Sequence, residues 1–419
     1  MANNISALGL PSIYIKFSSK ASTLIARSTR GTAALILNEG VEDTVTTYTV
    51  LDTTDIPDLS ESNVDLVKKA LLGTPAKLQV ITIPLATHTD TTVTETETIV
   101  TDEETGATDT VTITDTSIVT VDATVTQADA LRKIADTRIN YICHPTGNTQ
   151  DQQDLATWVK AQRANKHKTV KAVVANCAAD DYGVVNFTTG GIKVQNPAYT
   201  DALELTGEVP ADIPQYNTYT AAQYTARVAG ILAGIGLDRS ATYYELSEVA
   251  AVDEYDDIDT HINNGELCLF DEHDGNGVKI ARGCNSLTTF TSETGQDFRY
   301  IKNVDSMDMI LDDIRDTFRN DYVGKVTNDY NNKQLLVSAI NTYFTALGGN
   351  VLDISADNAN YVEIDYEANR DWAKTRGEDV NEMTESAILR YNTGTNVFLT
   401  GRITLVNAME DMRLNIALD

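Results

Sequence analysis

Short apolar runs that alternate with helical patterns constrain the fold of this chain more than any other feature. Residues 170–175 form a nearly continuous apolar run, of the kind that is buried in a parallel sheet, and Lys77–Ile83 is a further predicted strand. Around them lie segments with apolar residues at three- and four-residue spacing, which is typical of helices. This alternation predicts an α/β fold with a mainly parallel sheet core and flanking helices.

The rest of the chain continues this pattern. A helix is predicted to begin at Thr220, and Thr149 followed by Gln152 is typical of a capping box that opens another helix. Two long amphipathic helices are predicted near 305–323 and 329–347. Later strands are predicted at 266–270, 278–281, 298–304 and 361–366, and a polar helical stretch at 378–392.

Residues 86–126 have a different composition. The segment contains 17 Thr and nine Asp or Glu, and it has no Lys or Arg. Two threonine-rich runs, 91–101 and 110–121, flank a turn-like Asp-Glu-Glu-Thr-Gly-Ala-Thr-Asp sequence, and threonine favours strands. We predict an inserted, exposed Thr-rich β-hairpin that buries little. A disordered low-complexity loop is the alternative.

The charge of the chain argues against two classes of partner. Lys and Arg number 32 and Asp and Glu number 61, which gives a formal net charge of −29. A chain this acidic repels nucleic-acid phosphates and anionic membranes. No apolar run reaches the ~18 residues of a membrane helix, and no secretory signal is predicted at the start. We therefore expect no direct nucleic-acid binding and no membrane association.

No motif for catalysis, for a metal or for a cofactor is found. The five histidines do not have HExxH or zinc-finger spacing, and neither a GxxxxGK[S/T] loop nor a GxSxG elbow is present. Residues 271–277 resemble a cation-binding loop, but His273 and Gly275 occupy positions that need oxygen ligands, so a tight polar turn is predicted. The glycines of 230–236 follow a helical pattern and indicate close packing and a helix C-cap.

The remaining reactive residues are typical of structural positions. The four cysteines form no CxxC pair and are typical of buried, reduced thiols in a cytoplasmic protein. The acidic cluster at 253–259 is typical of a solvated face, and a basic partner surface would also suit it. We therefore predict no catalytic residues, no cofactor and no metal site.

Both ends of the chain carry amphipathic strand patterns. Near the start, Ile13, Ile15 and Phe17 form the apolar side of a short predicted strand. At the other end, two alternating runs are separated by a polar link at 407–411. Strands of this kind pair inside their own sheet or add to the sheet of a neighbour. The apolar residues of the two C-terminal runs are Val397, Leu399, Ile403, Leu405, Met412, Leu414, Ile416 and Leu418.

The order of several short motifs resembles the contractile phage tail sheath protein family. Pro11-Ser12-Ile13-Tyr14-Ile15 is similar to the Pro-Gly-Val-Tyr near the start of that family, with Ser12 in place of Gly. Phe298-Arg299-Tyr300-Ile301, followed by Asp305 and a helix that ends near Gly324, is similar to its last third. Phe398-Leu399-x-Gly401 and Ala408-Met409-Glu410-Asp411-Met412 are similar to its C-terminus. The resemblance covers most of the chain outside 86–126, and it is nearest to the compact sheaths of phages and phage-tail-like particles of Gram-positive bacteria.

This resemblance implies a structural role. In the family, an α/β core lies against the inner tail tube, and N- and C-terminal arms donate strands to sheets of neighbouring subunits. The resulting helical mesh contracts on a signal from the baseplate and drives the tube through a bacterial envelope. For this chain the resemblance implies a helical homopolymer around a tail tube protein, with baseplate and tail terminator proteins as further partners. It would assemble in the bacterial cytoplasm and reside in a virion tail or tail-like particle, and the apolar residues named at its two ends would form the exchanged strands.

The expected organisation has six parts. They are an N-terminal arm at 1–20, the start of the α/β core at 21–85, the inserted hairpin at 86–126, the main α/β core at 127–295, a C-terminal core domain at 296–396, and a C-terminal arm at 397–419.

Two other classes of protein fit parts of the sequence. One is another self-assembling virion protein of the tube or capsid type, although tube proteins are usually shorter and mostly β, and the helices at 305–347 argue against one. The other is an α/β hydrolase or nucleotide-binding enzyme, which would need a nucleophile elbow or a phosphate loop that the sequence lacks.

Overall fold

The computed structural model describes residues 25, 30–101, 108–355 and 360–417. Its strands are β1 (Thr32–Asn38), β2 (Thr46–Val50), β3 (Lys77–Ile83), β4 (Thr87–Thr101), β5 (Thr108–Asp122), β6 (Tyr141–Cys143), β7 (Lys171–Ala175), β8 (Val184–Phe187), β9 (Ile192–Gln195), β10 (Tyr216–Tyr219), β11 (Val249–Ala251), β12 (Glu266–Leu267), β13 (Leu269–Asp271), β14 (Val278–Ile280), β15 (Tyr361–Ile364) and β16 (Leu399–Arg402). Its helices are α1 (Glu61–Leu71), α2 (Gln127–Ile134), α3 (Thr149–Lys166), α4 (Pro197–Thr206), α5 (Ala221–Gly234), α6 (Ile258–Asn263), α7 (Ile301–Thr317), α8 (Tyr330–Ala346), α9 (Tyr366–Thr375) and α10 (Glu385–Leu389).

The chain divides into two compact units. The larger unit comprises Thr29–Asp308 and Asn407–Asp419, and the smaller unit comprises Met1–Ser28 and Met309–Val406. In the described part of the chain, no helix is both long enough and apolar enough to span a membrane.

A seven-stranded sheet forms the centre of the larger unit. Its strand order is β12-β8-β7-β6-β1-β3-β2, and every neighbouring pair is parallel except β2 with β3. The predicted strands at 77–83 and 170–175 are β3 and β7, which lie inside this sheet. The predicted mainly parallel α/β fold is therefore confirmed.

Both faces of the sheet are covered by apolar side chains. In β1, Ala33, Leu35 and Leu37 belong to a core shared with residues of α1 and α5, whereas Ala34 and Ile36 belong to a second core shared with α2 and α3. All five side chains are fully buried. Because successive side chains of a strand point to opposite faces, a strand buried on both sides is mostly apolar along its whole length, which explains the nearly continuous run at 170–175.

The helices begin at polar caps, although not always at the predicted residue. The Asn148 side chain accepts hydrogen bonds from the backbone N–H groups of Gln150 and Asp151, and Asp151 bonds back to the Asn148 backbone, so α3 is capped by Asn148 and not by Thr149. The prediction was wrong by one residue because asparagine and threonine are both good caps. Thr220 and Gln223 form the capping box of α5, as the prediction of a helix from Thr220 requires.

Helices α1 and α5 approach each other closely through glycine. A Cβ atom added to Gly230 would lie 2.0 Å from the Ala70 carbonyl oxygen, and one added to Gly234 would lie 1.8 Å from the Gly73 carbonyl oxygen. The glycines predicted to indicate close packing therefore let two backbones touch, and no larger residue fits without movement of a helix.

Replacing Gly230 with alanine is expected to destabilise the larger unit by about 1–3 kcal/mol or more, because overpacking against backbone forces a helix to shift. Urea denaturation of the purified chain measures the change. Gly295→Ala is the matched control, because a Cβ there meets nothing within 4 Å and φ is −81°. Equal midpoints for the two variants would contradict the close-packing role.

The threonine-rich segment is a long β-ribbon. Strands β4 and β5 pair antiparallel in one unbroken register from Thr87 opposite Asp122 to Thr101 opposite Thr108, and no third strand joins them among the described residues. At the base, the Ala123 N–H donates to the Ala86 carbonyl oxygen. The predicted hairpin is thus confirmed over the loop alternative, and its strands are longer than the predicted runs.

Two clear errors concern residues 298–304 and 366–375. The first was predicted as a strand, but Gln296–Arg299 forms a 3₁₀ turn and α7 begins at Ile301. Ile301 and Val304 are buried at helical spacing, a period that the short apolar run concealed. The second stretch is helix α9, which was missed because it buries only Asn369 and Ala373 and so has no apolar stripe.

Helices α7 and α8 supply the core of the smaller unit. Leu336, Ile340 and Phe344 of α8 are buried, as are Met309 and Ile310 of α7. The predicted helix at 329–347 is confirmed, whereas the one at 305–323 begins earlier and ends in a π turn at Phe318–Tyr322. The predicted polar helical stretch at 378–392 is helical only in the short α10.

Candidate functional site: the C-terminal segment

The predicted exchange residues fall into three groups. Ile13, Ile15 and Phe17 lie outside the described residues, as does Leu418. Those between Val397 and Leu405 belong to the smaller unit, and those from Met412 to Ile416 belong to the larger one.

The first C-terminal run is already paired within its own unit. Strand β16 runs antiparallel to β15, with Leu399 opposite Ile364 and Arg402 opposite Tyr361. Beyond the strand, Leu405 forms a bridge with Leu352. Exchange of Val397, Leu399, Ile403 and Leu405 between subunits stays a prediction. Such an exchange would have to break the pairing of β16 with β15 or add a further strand to it.

Gly401 explains part of the Phe-Leu-x-Gly motif. A Cβ atom at Gly401 would lie 2.3 Å from the Tyr361 carbonyl oxygen and 3.0 Å from the Val362 Cα. Only glycine therefore lets β16 approach β15 this closely. The motif is thus a requirement of strand pairing in the smaller unit.

Hydrogen bonds and ion pairs hold the chain just before the second run. Glu410 accepts hydrogen bonds from Thr242 Oγ1 at 2.8 Å and from Arg282 Nε at 3.0 Å, and the Glu410 side chain is only 7% exposed. Arg282 also bonds Asp411 through Nη2. Burial alone would lower the pKa of the Arg282 guanidinium, but these carboxylates raise it overall. We call Thr242, Arg282, Glu410 and Asp411 the C-terminal clamp.

Beyond the clamp, apolar side chains face solvent. Met412, Leu414 and Ile416 are 88%, 68% and 75% exposed, and residues 412–417 belong to no strand or helix. An alternating apolar run without a cover is typical of a segment that adds as a strand to another sheet. The structure therefore holds the segment at one end and leaves its apolar side free.

Replacing Arg282 with alanine is expected to speed amide hydrogen exchange in residues 407–411 by roughly tenfold, because it removes charge-assisted bonds worth about 1–2 kcal/mol at a partly exposed site. Hydrogen-exchange mass spectrometry measures the change. Arg413→Ala is the control, since it removes the same charge from the exposed segment and leaves the clamp intact. Unchanged exchange in Arg282→Ala would mean that the clamp does not hold the segment.

A group of buried charges lies elsewhere in the larger unit. Lys171 Nζ is 2.9 Å from Asp305 Oδ1 and 2.8 Å from Asp308 Oδ2. Arg163 binds Asp308 through both Nη atoms at 2.9 and 2.8 Å, and Arg30 Nη2 is 3.2 Å from Asp305 Oδ1. We call these five residues the buried ion network. Each carboxylate in this network contacts two cationic side chains, so the network holds β7 and α3 to the start of α7.

The pKa directions agree with a structural network. Burial alone would raise the pKa of Asp308, but the charges of Lys171 and Arg163 hold it below its ordinary value. The Tyr141 hydroxyl donates to Asp305 Oδ2 at 2.7 Å, and burial together with Asp305 raises the pKa of Tyr141. The Asp308 carboxylate is therefore ionised and the Tyr141 phenol is neutral near pH 7.

One buried histidine and two buried cysteines are further potentially reactive side chains. Burial lowers the pKa of His144 to about 4, and its ring contacts the side-chain oxygens of Gln127 and Asn38. Burial raises the pKa of Cys143 and of Cys284 to about 12, so both thiols are protonated at neutral pH.

The loop at 271–277 is a polar turn, as predicted. Asp271 accepts a hydrogen bond from the His273 backbone, and Asp274 accepts one from the Asn276 backbone. Across the described residues, no three His, Cys, Asp or Glu side chains converge in a group that could hold a metal ion.

Comparison with known families and proteins places the chain clearly. Residues 122–286 match the phage tail sheath protein central domain, and residues 293–419 match the phage tail sheath C-terminal domain. The chain is 31% identical over 415 residues to the tail sheath protein of Clostridium phage phiCD119. The matched region covers 97% of this chain and 99% of that protein.

Solved structures share the fold. The sheath tail protein of Desulfitobacterium hafniense is similar with a TM-score of 0.60 at 19% identity, over 85% of this chain and 94% of that one. The helical sheath of the anti-feeding prophage in its contracted state is similar with a TM-score of 0.61 at 13% identity, over 99% of this chain and 100% of that one. With both sheath domains matched in order and a relative that is similar along nearly the whole length, this chain belongs to the phage tail sheath protein family.

Proposed function

We propose that this chain is the structural subunit of a contractile tail sheath, which polymerises helically around a tail tube and contracts to drive the tube through a bacterial envelope. Membership of the sheath family supports this role, and the anti-feeding prophage sheath of similar fold is a contracted helical assembly. The observation that carries the proposal is the exposed apolar run Met412, Leu414 and Ile416 beyond the C-terminal clamp. A monomer gains nothing from this run, whereas a polymer can bury it.

The sheet of β15 and β16 is a suitable acceptor for a donated strand. It has two strands, and the outer edge of β15 is already bonded at Val362, whose backbone N–H and C=O pair with the Asn341 side chain, so a donated strand would add at the outer edge of β16. A two-stranded sheet is marginally stable by itself, and added strands would stabilise it. We propose that the N-terminal run with Ile13, Ile15 and Phe17, and the C-terminal run from Met412 to Leu418, supply such strands to neighbouring copies.

Strand addition between copies is compatible with contraction. Head-to-tail contacts of one chain with the next generate a helical filament when the rotation between copies does not close a ring. Main-chain hydrogen bonds of an added strand can persist while compact units shift on their connections.

The proposal includes a tail tube protein, baseplate proteins and a tail terminator as partners, with assembly in the bacterial cytoplasm and residence in a tail or tail-like particle. A structural role without catalysis follows from the same reasoning.

The net charge of −29 adds a condition for assembly. Copies this acidic repel one another. At 0.10–0.15 M ionic strength, salt largely screens the repulsion between charges that are more than about 8–10 Å apart. Polymerisation should therefore be favoured by raised salt.

Electron microscopy of the purified chain at raised concentration and salt tests the proposal. Long hollow helical tubes are the expected result. Compact particles of small, fixed size at every concentration would overturn it, and they would favour an enzyme or a closed oligomer.

A further inference from the structure

A pocket of about 440 Å³ opens in the smaller unit. It lies between the π turn after α7, the first turns of α8 and the loop before β16. The Phe318 and Tyr322 rings stack with centroids 6.0 Å apart on one side, and Val323 and Val326 beside them are 56% and 40% exposed. Part of the pocket wall is therefore apolar and uncovered.

The pocket is also lined by a buried lysine that has no carboxylate partner among the described residues. Lys333 is only 4% exposed, and its Nζ donates to Thr393 Oγ1 at 2.7 Å. No Asp or Glu oxygen in the described part of the chain lies within 4.0 Å of it. An ammonium group has three donors, and burial without a counter-charge is costly. Burial accordingly lowers the pKa of Lys333.

A buried acceptor in the same wall is also unused. Asn328 Nδ2 donates to the carbonyl oxygens of Gly394 and Asn396 at 2.8 Å each, but the buried Asn328 Oδ1 has no hydrogen-bond partner among the described residues. The pocket thus offers a cation with free donors, a free amide oxygen and an apolar wall. A carboxylate that is attached to an apolar chain and lies next to a backbone N–H satisfies all three.

We propose that this pocket receives an aspartate or glutamate side chain, with its apolar sequence neighbour, from a second copy of this chain. Charge complementarity favours that source, because each copy carries 61 acidic and 32 basic residues and so presents surplus carboxylates to its neighbours. The inference rests on the proposed self-assembly and names one of its contacts. A carboxylate from a different protein is the competing source.

Lys333→Met tests the proposal, because methionine keeps the length of the side chain and removes its charge. The critical concentration for polymerisation, measured by sedimentation, is expected to rise about tenfold or more, since one partner of a buried charge pair is lost. The melting temperature of the monomer is expected not to fall, because an unpaired buried ammonium is removed.

Two control variants distinguish a carboxylate-binding lysine from one that holds the loop and from a general charge effect. Thr393→Val removes the hydrogen bond from Nζ and keeps the charge, so a lysine that merely holds the loop would make Thr393→Val and Lys333→Met equivalent. Lys325→Met removes an equal charge from the exposed part of the same connection, so a general effect of net charge would appear there too. Neither control is expected to raise the critical concentration as Lys333→Met does.

A measurement on the unmodified chain identifies the source of the carboxylate. Polymers of mixed ¹⁴N- and ¹⁵N-labelled copies are treated with a carbodiimide, which joins a lysine amine and a carboxylate in contact with loss of water. A cross-link from Lys333 to an Asp or Glu in mixed-isotope peptides is expected. A polymer that shows no such cross-link and tolerates Lys333→Met overturns this inference alone. A wild-type chain that never polymerises overturns the proposed function. It also overturns the proposal that an acidic side chain of a second copy occupies the pocket.

Discussion

A chain that ends at Asp411 is expected to stay folded and to lose polymerisation. The truncation keeps β16 and the C-terminal clamp, and it removes the exposed run Met412, Leu414 and Ile416. Burying three such side chains in a neighbour contributes roughly 5–9 kcal/mol. At 1.4 kcal/mol for each tenfold change, the critical concentration should rise by about a thousandfold or more. Sedimentation and electron microscopy measure it, and thermal unfolding verifies the monomer.

The alternation of the segment supplies a matched control for the truncation. Serine at Arg413, Asn415 and Ala417 changes the opposite side of the predicted strand, and serine at Met412, Leu414 and Ile416 changes the apolar side. The first triple variant should still form tubes and the second should not. Tubes from the truncated chain would show that assembly does not use this segment.

Asp308→Asn is expected to lower the free energy of unfolding of the larger unit by about 3–5 kcal/mol, the cost of breaking a buried ion pair. The change leaves Lys171 and Arg163 buried with one carboxylate fewer, and the Asp308 side chain is only 4% exposed. Urea denaturation measures the loss. Asp136→Asn removes an exposed carboxylate 3.5 Å from Lys168 and should change stability by less than about 0.5 kcal/mol. Similar losses in the two variants would contradict a stabilising buried ion network.

The same variant has a defined pH dependence. The pKa of Asp308 is lower in the folded chain than its ordinary value near 3.8, because Lys171 and Arg163 outweigh the effect of burial. A lowered carboxyl pKa stabilises the fold above the unfolded pKa, and the contribution declines as the pH falls toward the folded pKa. The difference in stability between wild type and Asp308→Asn should therefore be full at pH 7 and should shrink below about pH 4.

Several elements were predictable because their signals are local. The strand at 170–175 is apolar at nearly every position, the strand at 77–83 has four apolar residues in seven, and the threonine-rich segment has strand propensity on both sides of a turn. Helix α8 has a buried stripe at helical spacing, and it was predicted nearly to its ends. Ordered short motifs also indicated the sheath family, which the comparisons confirm.

The candidate site was predictable in part. The alternation of Met412, Leu414 and Ile416 is visible in the sequence, but that of Leu399 and Leu405 is equally visible, and only the structure separates the two runs. The first run pairs with β15, because a partner strand of matching length exists in the same unit. Pattern alone states that a strand has an apolar side, and it does not state which surface covers that side.

The sequence by itself determined the α/β class, the inserted hairpin, the family and the apolar character of the chain ends, because these depend on propensity and on spacings of a few residues. Tertiary structure alone decided the partners of charged and polar residues. Lys171 meets Asp308 across 137 residues, and Arg282 meets Glu410 across 128. Charged side chains have no period that indicates a distant partner, so their pairing follows only from the way the backbone brings remote segments together.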